Sequence, residues 1–230
     1  MRVINALKAD VRFQFKQGFY LVYIILTLFY MILLGKLPAE WKSVLVPLVI
    51  FSDPAMVGFF FIGALVMLEK VQGVTQYVVV TPLRSLEYLL AKALSLTVLA
   101  LAATFLITLT VYDQPLNWFL LILGVILTSF FFVLYGFVVA APCITMNQFF
   151  IRMIPFLLLI ILPCFSMIGF PYSWVFNIFP SVAGLKLVYG AFNGIGTAAM
   201  AGFTLYLVGA NVVMIYYVQK VFDSMVTGGE

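Results

Sequence analysis

Six long apolar runs constrain the fold of this chain more than any other feature of its sequence. They cover residues 19–37, 44–68, 93–111, 116–141, 153–170 and 200–222. A helix needs about 20 apolar residues to cross the hydrocarbon core of a bilayer. Because lipid offers no hydrogen bonds, a spanning helix must satisfy its own backbone. The runs therefore predict an all-α integral membrane protein with six transmembrane helices.

The composition argues against a soluble fold. Of the 230 residues, 65% are hydrophobic and 9% are charged, whereas soluble domains are about 45–50% apolar and about 25% charged. So few charges cannot cover a water-facing surface, but a lipid bilayer removes that need. Since no segment between the runs is long enough to fold in water, we expect residues 1–230 to form a single transmembrane domain.

The basic residues predict the orientation, because cytoplasmic flanks of membrane proteins are enriched in Lys and Arg. A cytoplasmic N-terminus and six spans place most of them inside: Arg2, Lys8, Arg12, Lys16, Lys70, Arg84, Lys92, Arg152 and Lys220. The outer set is then Lys36, Lys42 and Lys186. We therefore expect a multi-pass protein of the cell membrane with both termini in the cytoplasm, and the net charge of +4 reflects this topology rather than nucleic-acid binding.

Residues 1–18 precede the first span and repeat apolar side chains at helical spacing, with Lys8, Arg12 and Lys16 between them. This pattern predicts an amphipathic helix on the inner membrane surface, with its basic side chains near anionic headgroups. The alternative is a basic flank that sets the topology without a fixed helix.

Two polar residues in the apolar runs are possible pathway residues, because polar groups in a membrane are functional candidates. Asp53 divides the second run together with Pro54, so we expect that helix to begin near residue 53, with 44–51 interfacial or a loose extension. Asp53 has a helix cap as its alternative role. Asn211 lies in the last run, where a hydrogen bond to a neighbouring helix is the alternative.

Residues 171–199 carry one charge, Lys186, and several prolines and glycines. The segment is too apolar for a solvated loop and too broken for a regular span. It predicts an extracellular re-entrant segment, with a helix over about 181–192 that dips into the outer leaflet. A seventh span is the alternative, but it would put the C-terminus outside the cell.

The largest cytoplasmic loop covers residues 69–92. Gly73 interrupts the helix that emerges from the membrane, residues 74–80 predict a short apolar helix, and Thr81-Pro82 predicts a break. The side chains of Tyr77, Val78 and Val79 are too apolar to face water without a partner. We therefore expect this loop to dock on another protein; the alternative is an ordinary loop whose charges mark the inner interface.

This loop resembles the first cytoplasmic loop of ABC-2 type transporter permeases. The matching residues are Glu69, Lys70, Gly73, Thr81, Pro82, Glu87, Tyr88, Leu89, Leu90 and Lys92. The run FSDPAMVGFFFIGALVMLEK is also similar to drug-export permeases of the fluoroquinolone type. The resemblance implies that 69–92 contains a coupling helix received by an ABC ATP-binding subunit, through Glu69, Lys70, Gly73, Tyr77, Val78, Val79, Thr81, Pro82, Glu87 and Lys92. A second contact would come from 142–152.

The resemblance further implies an ATP-driven exporter of hydrophobic or amphipathic cargo, such as a drug, peptide or lipid. One chain would form half of the pathway, beside a second copy or a paralogue. No GxxxxGK[ST] phosphate loop occurs, so ATP and Mg²⁺ are expected in the partner subunit. We expect no enzymatic activity, no bound cofactor and no metal site, because histidine is absent and Cys143 and Cys164 lack metal-ligand spacing. An ion-coupled secondary transporter and a membrane scaffold remain alternatives.

Overall fold

The structure is a computed structural model that describes residues 2–52, 56–73, 85–161, 164 and 175–227. These residues form nine α-helices and one short 3₁₀ helix, Val175–Ile178, and contain no strand. The helices are α1 Arg2–Lys16, α2 Phe19–Gly35, α3 Ala39–Ile50, α4 Met56–Val71, α5 Ser85–Val111, α6 Trp118–Ala140, α7 Met146–Ile161, α8 Pro180–Asn193 and α9 Thr197–Thr227.

Three helices in the described part of the chain are long and apolar enough to cross a membrane: Leu86–Val111, Trp118–Ala140 and Thr197–Asp223. A fourth span results if α1 and α2, which meet at a bend of 69°, count as one. Helix α7 is apolar but shorter. The prediction of an all-α membrane protein is confirmed, whereas the number of six spans stays a prediction.

Helix α6 occupies the centre of the molecule and contacts α4, α5, α7, α8 and α9. It begins at Asn117, whose side chain accepts a hydrogen bond from the backbone N–H of Leu120 at 3.1 Å and so caps the helix. Close approach of α6 to α4 depends on Gly136, because a Cβ there would lie 2.5 Å from the carbonyl oxygen of Phe59. The core is therefore built around a helix whose small residues admit its neighbours.

Of the two alternatives expected over 44–51, the structure replaces the loose extension with a regular helix, whereas an interfacial position stays a prediction. Helix α3 occupies Ala39–Ile50, and it buries Val46 and Ile50. It contacts α8, where Asn193 Nδ2 donates to the carbonyl oxygen of Ser43 at 3.0 Å. Burial against α8 gives this segment a fixed helical packing that the sequence pattern does not show. Asp53 lies outside the described residues, so its pathway role stays a prediction.

A helix within 171–199 is confirmed, since α8 covers Pro180–Asn193. Pro180 stands in its first turn, where a missing N–H costs nothing, and Gly194 ends it with a φ of 83°. Most of α8 is buried, and Gly184 lies against the side chain of Thr128 on α6. The re-entrant, extracellular character of the whole segment stays a prediction.

Large apolar side chains on the outer surfaces of α2 and α9 remain exposed in the part of the chain that the structure describes. On α2 they include Leu21, Ile25, Phe29 and Ile32, and on α9 they include Leu205, Val213 and Tyr216. Soluble monomers rarely expose contiguous apolar patches of this extent. Lipid therefore forms the surroundings of these two helices.

Candidate functional site

Six polar side chains meet inside the protein where α1, α4 and α5 converge, at the two ends of the loop 69–92. We call them the charge cluster: Asp10, Gln14, Glu69, Tyr88, Lys92 and Ser95. Charged residues are rarely fully buried unless they are paired. A buried ionic group in a membrane protein is a candidate for a functional site.

Lys92 is the centre of the charge cluster and is only 2% exposed. Its Nζ lies 2.9 Å from Asp10 Oδ1 and 2.6 Å from Glu69 Oε1. It also stands over the ring of Tyr88, 4.9 Å from the centroid, where the aromatic face attracts a cation. One ammonium group therefore joins carboxylates from two other helices.

The remaining carboxylate oxygens of the charge cluster also accept hydrogen bonds. Asp10 Oδ2 accepts from Gln14 Nε2 at 2.6 Å and from Ser95 Oγ at 2.5 Å, and Glu69 Oε2 accepts from the hydroxyl of Tyr88. All four carboxylate oxygens thus have a donor. The carboxylates are therefore satisfied, although Oε1 of Gln14 is buried without a partner. Removal of one partner from a buried ion pair leaves a costly unpaired charge.

Helix α1 has three different faces, and one of them supplies Asp10 and Gln14. Asp10 and Gln14 stand one turn apart on a buried face against α5. The basic residues Lys8, Arg12 and Lys16 lie on an exposed face. The third face carries apolar side chains, among them Phe15, that stay exposed. An amphipathic helix is therefore present, and its buried polar face is a feature that the sequence analysis missed.

Lys70 points the opposite way from its neighbour Glu69. Its Nζ donates to the carbonyl oxygen of Cys143 at 2.8 Å and to that of Ala141. These carbonyls follow the end of α6, where a helix leaves acceptors without partners. A cation there satisfies them and complements the helix dipole. Adjacent residues of α4 therefore hold α5 on one side and the α6–α7 turn on the other.

The α6–α7 turn is itself fixed by a reciprocal cap at the start of α7. The N–H of Gln148 donates to Thr145 Oγ1 at 3.3 Å, and Gln148 Oε1 accepts from the backbone N–H of Thr145 at 3.4 Å and from that of Ile144 at 2.9 Å. This is the geometry of a capping box. Ile144 on the turn is 77% exposed and Val71 at the end of α4 is 82% exposed, so both present apolar surface beside Lys70.

The structure places only part of the predicted coupling residues. Glu69 and Lys92 are buried in the charge cluster, Lys70 binds the α6–α7 turn, and Gly73 follows α4 with a φ of 68°. Glu87 is half-buried in the first turn of α5. The others lie outside the described residues: Tyr77, Val78, Val79, Thr81 and Pro82. Contact of any of these residues with an ATPase stays a prediction.

Asp10, Gln14 and Ser95 are members of the charge cluster that sequence reasoning missed. The available signal was local: Asp10 is the one acidic residue in a basic helix, and Gln14 follows it by one turn. Ser95 similarly follows Lys92 by three residues on α5. Such spacings identify shared faces, but they do not tell which helices meet.

Asn211 lies on the face of α9 that packs against α6. Its Nδ2 donates to the carbonyl oxygen of Leu127 at 3.0 Å and to that of Leu207 at 2.9 Å. The alternative of a hydrogen bond between helices is therefore confirmed. A pathway role for Asn211 stays a prediction.

A cavity of about 310 Å³ lies between α2, α4 and α7. Its wall is mostly aromatic and aliphatic, with the α1–α2 elbow at one edge: Gln17, Gly18, Phe19, Val22, Phe60, Phe61, Ala64, Leu68, Met146, Phe149 and Phe150. Small-molecule sites are typically apolar cavities of about 300–1,000 Å³ with few polar groups. The cavity can therefore hold a small hydrophobic molecule.

Comparison with known proteins decides which family has this architecture. The model of the fluoroquinolones export permease protein family matches residues 1–228. The chain belongs to the fluoroquinolone export permease family. Fluoroquinolones export permease proteins from two Mycobacterium tuberculosis strains, CDC 1551/Oshkosh and ATCC 25618/H37Rv, are each 27% identical to this chain over 198 residues. The aligned region is 86% of this chain and 84% of each relative.

Membership of the fluoroquinolone export permease family confirms the resemblance to drug-export permeases that the sequence showed. The family match covers all nine helices, and therefore includes both the charge cluster and the cavity. A permease of this family, with apolar helices and bare apolar surfaces on α2 and α9, is a membrane protein with a role in export.

Proposed function

We propose that this chain is the membrane-spanning subunit of an ATP-driven ABC-2 type exporter. A separate ABC ATP-binding subunit holds ATP and Mg²⁺, and a second copy or a paralogue of this chain supplies the other half of the pathway. The observation that carries the proposal is the closed base of the loop 69–92, where Glu69 and Lys92 pair at 2.6 Å.

The closed base allows the loop 69–92 to transmit a displacement to the membrane helices. Glu69 lies in the last turn of α4 and Lys92 lies two turns into α5, so their ion pair holds these two helices together at the base of the loop. Lys70 extends the base to the α6–α7 turn. A displacement of the loop would therefore move α4, α5 and α6 together.

The helices accommodate six spans if α2, α3 with α4, α5, α6, α7 and α9 each cross once. Lys16, Lys70 and Lys92 then lie at the cytoplasmic end, and Lys186 on α8 lies at the outer end. This arrangement follows the positive-inside rule and returns both termini to the cytoplasm. Helix α8 then forms the inner part of an extracellular re-entrant segment.

The cavity between α2, α4 and α7 supports a hydrophobic or amphipathic cargo. Rings of Phe60, Phe61 and Phe149 line it, and aromatic side chains favour stacked or edge contacts with other rings. The relatives carry fluoroquinolones in their names. We therefore propose that planar aromatic drugs of this class bind here during export.

An ion-coupled secondary transporter is the competing function, because the charge cluster supplies the buried carboxylates that such a mechanism needs. In this cluster, however, every carboxylate oxygen of Asp10 and Glu69 already accepts a hydrogen bond. These bonds, and the link that Lys92 makes between α1 and α4, fit a structural role for the cluster better than a transported-ion site.

The direct test is affinity purification of the tagged permease from gently solubilised native membranes. The test variant carries Val78→Glu and Val79→Glu in the loop 69–92. The matched control carries Ala198→Glu and Ala199→Glu, two exposed residues at the start of α9 on the proposed outer side. Insertion and folding of each variant are checked by size-exclusion chromatography.

We expect an ATP-binding protein to copurify with the wild type and the control but not with the loop variant. An ATPase that binds all three equally would place its docking site elsewhere on the permease. If no ATPase copurifies with the wild type, the ATP-driven function is wrong and ion-coupled transport becomes the leading explanation.

A further inference from the structure

We propose that Asp10 is a positioning residue that carries motion of the loop 69–92, through α1, to the wall of the cavity. This inference rests on the proposed ATP-driven function and names a part of the chain that the family resemblance did not assign. Its basis is a continuous set of described contacts from the base of the loop to the first turn of α2.

The first link joins α1 to both ends of the loop. Asp10 binds Lys92, two turns into α5, by an ion pair of 2.9 Å, and Lys92 in turn binds Glu69 in the last turn of α4 at 2.6 Å. Gln14 adds a second attachment one turn further along α1, because its Nε2 lies 2.7 Å from Ser95 Oγ. Two attachments on one face fix α1 against α5 instead of leaving it free on the membrane surface.

The second link joins α1 to the cavity. Helix α1 ends at Lys16, and Gly18 with a φ of 80° turns the chain directly into α2 at an angle of 69°. Gln17 and Gly18 of this elbow line the cavity together with Phe19 and Val22 of α2. Only the two residues of this elbow separate α1 from α2, so we propose that a displacement of α1 reaches the cavity wall through them.

Among the charged residues of the cluster, Asp10 is the one whose substitution tests the proposal. Loss of the Lys92 ammonium group would leave two buried carboxylates facing each other, which threatens folding. Loss of the Asp10 charge leaves a neutral Glu69–Lys92 pair, so the base of the loop stays closed. Asp10→Asn therefore removes the ion pair that attaches α1 to the base of the loop, while it preserves the Glu69–Lys92 pair.

The experiment measures whether the cavity wall responds to ATP in the permease–ATPase complex. A bimane fluorophore is attached to Val22→Cys in a background of Cys143→Ala and Cys164→Ala, and emission is compared with and without ATP and Mg²⁺ in lipid nanodiscs. A second label at Val213→Cys on the lipid face of α9 reports changes unrelated to the cavity. Asp113→Asn, which removes an exposed carboxylate from another part of the chain, is the matched control for Asp10→Asn.

We expect ATP to shift the Val22 label in the wild type and in Asp113→Asn, and Asp10→Asn to reduce this shift about tenfold, in the range of typical coupling between sites. We expect ATPase activity to persist, because the Glu69–Lys92 pair keeps the base of the loop closed. Ser95→Ala, which removes one hydrogen bond from Asp10, reduces the shift less and replaces Asp10→Asn if that variant does not assemble.

The outcomes separate this inference from the proposed function. An equal ATP-dependent shift in Asp10→Asn, or an active wild-type complex whose Val22 label does not respond, would overturn the role of Asp10 alone. A wild-type preparation that contains no ATPase overturns the proposed function, and the inference fails with it.

Discussion

Helices α6 and α9 are both long enough to span a membrane, yet the protein surrounds them very differently. Both are long and apolar enough to cross a membrane. In the most apolar 18 residues of α6, 61% are buried within the protein, whereas in those of α9 only 11% are. Hydropathy therefore identifies both as membrane helices without telling which is central.

The glycines of the two helices explain part of the difference. A Cβ at Gly136 of α6 would collide with the backbone of α4, and one at Gly124 would contact Leu187 of α8. At Gly202 and Gly209 of α9 an added Cβ would meet nothing within 4 Å. Between membrane helices, where hydrophobic driving force is absent, small residues permit the close packing that holds them together.

The largest expected effect comes from Gly136→Ala on α6. The new Cβ would lie 2.5 Å from the carbonyl oxygen and 2.9 Å from the Cα of Phe59. Backbone atoms cannot rotate away, so α4 and α6 must move apart. We expect a loss of about 2 kcal/mol in the free energy of unfolding, measured by SDS titration in mixed micelles.

Gly209→Ala on α9 is the matched control for this substitution. It adds the same methyl group to an open surface, and alanine favours a helix over glycine by about 1 kcal/mol. Its stability should therefore equal or exceed that of the wild type. Equal losses in the two variants would show that the α6–α9 contrast in packing has no energetic consequence.

A smaller effect is expected from Gly184→Ala on α8, because the obstacle is the side chain of Thr128 on α6. The added Cβ would lie 2.4 Å from its Oγ1 and 2.8 Å from its Cγ2, whereas the distance to its Cβ would be a less severe 3.2 Å. We expect a loss of about 1 kcal/mol, the lower end of the range for overpacking, because a side chain can give way.

The double variant Gly184→Ala with Thr128→Ala tests that explanation, since it removes the two colliding atoms. The hydroxyl of Thr128 is buried without a hydrogen bond, so its loss alone should cost little. A double-mutant cycle in the same titration should show that most of the Gly184→Ala loss is recovered. Additive losses would mean that the strain lies in the α8 backbone instead.

The sequence predicted the helices of this protein better than their partners. The run 116–141 contains α6 and the run 19–37 contains α2, because length and hydropathy depend only on neighbouring residues. Pairing of Asp10 with Lys92 joins positions 82 residues apart. No local pattern encodes such a contact, so the charge cluster could not be predicted even though its charged residues were visible.

The loop 69–92 shows that a sequence motif can identify residues without indicating where their side chains point. Its motif identified Glu69, Lys70 and Lys92 as a group, and the structure does bring Glu69 and Lys92 together. The motif did not indicate that these side chains turn inward. Asp10 of α1 packs against Lys92 in this buried cluster. In the sequence, Asp10 attracts little notice because basic residues surround it.

The smallest expected effect belongs to the contact that attaches α9 to α6. Asn211→Leu removes the hydrogen bond from Asn211 Nδ2 to the carbonyl oxygen of Leu127. Hydrogen bonds between membrane helices contribute about 0.6 kcal/mol on average. The loss is partly offset because Oδ1 of Asn211 is buried without a partner in the native protein.

We therefore expect Asn211→Leu to lower stability by about 0.5 kcal/mol, less than either glycine variant. Val212→Leu, the exposed neighbour on α9, is the control and should leave stability unchanged. If Asn211→Leu instead cost as much as Gly136→Ala, a single polar contact would hold α9 as firmly as close packing holds α6. The peripheral position of α9 would then reflect its lipid-facing surface alone, and the number of buried residues would be a poor guide to how strongly a membrane helix is attached.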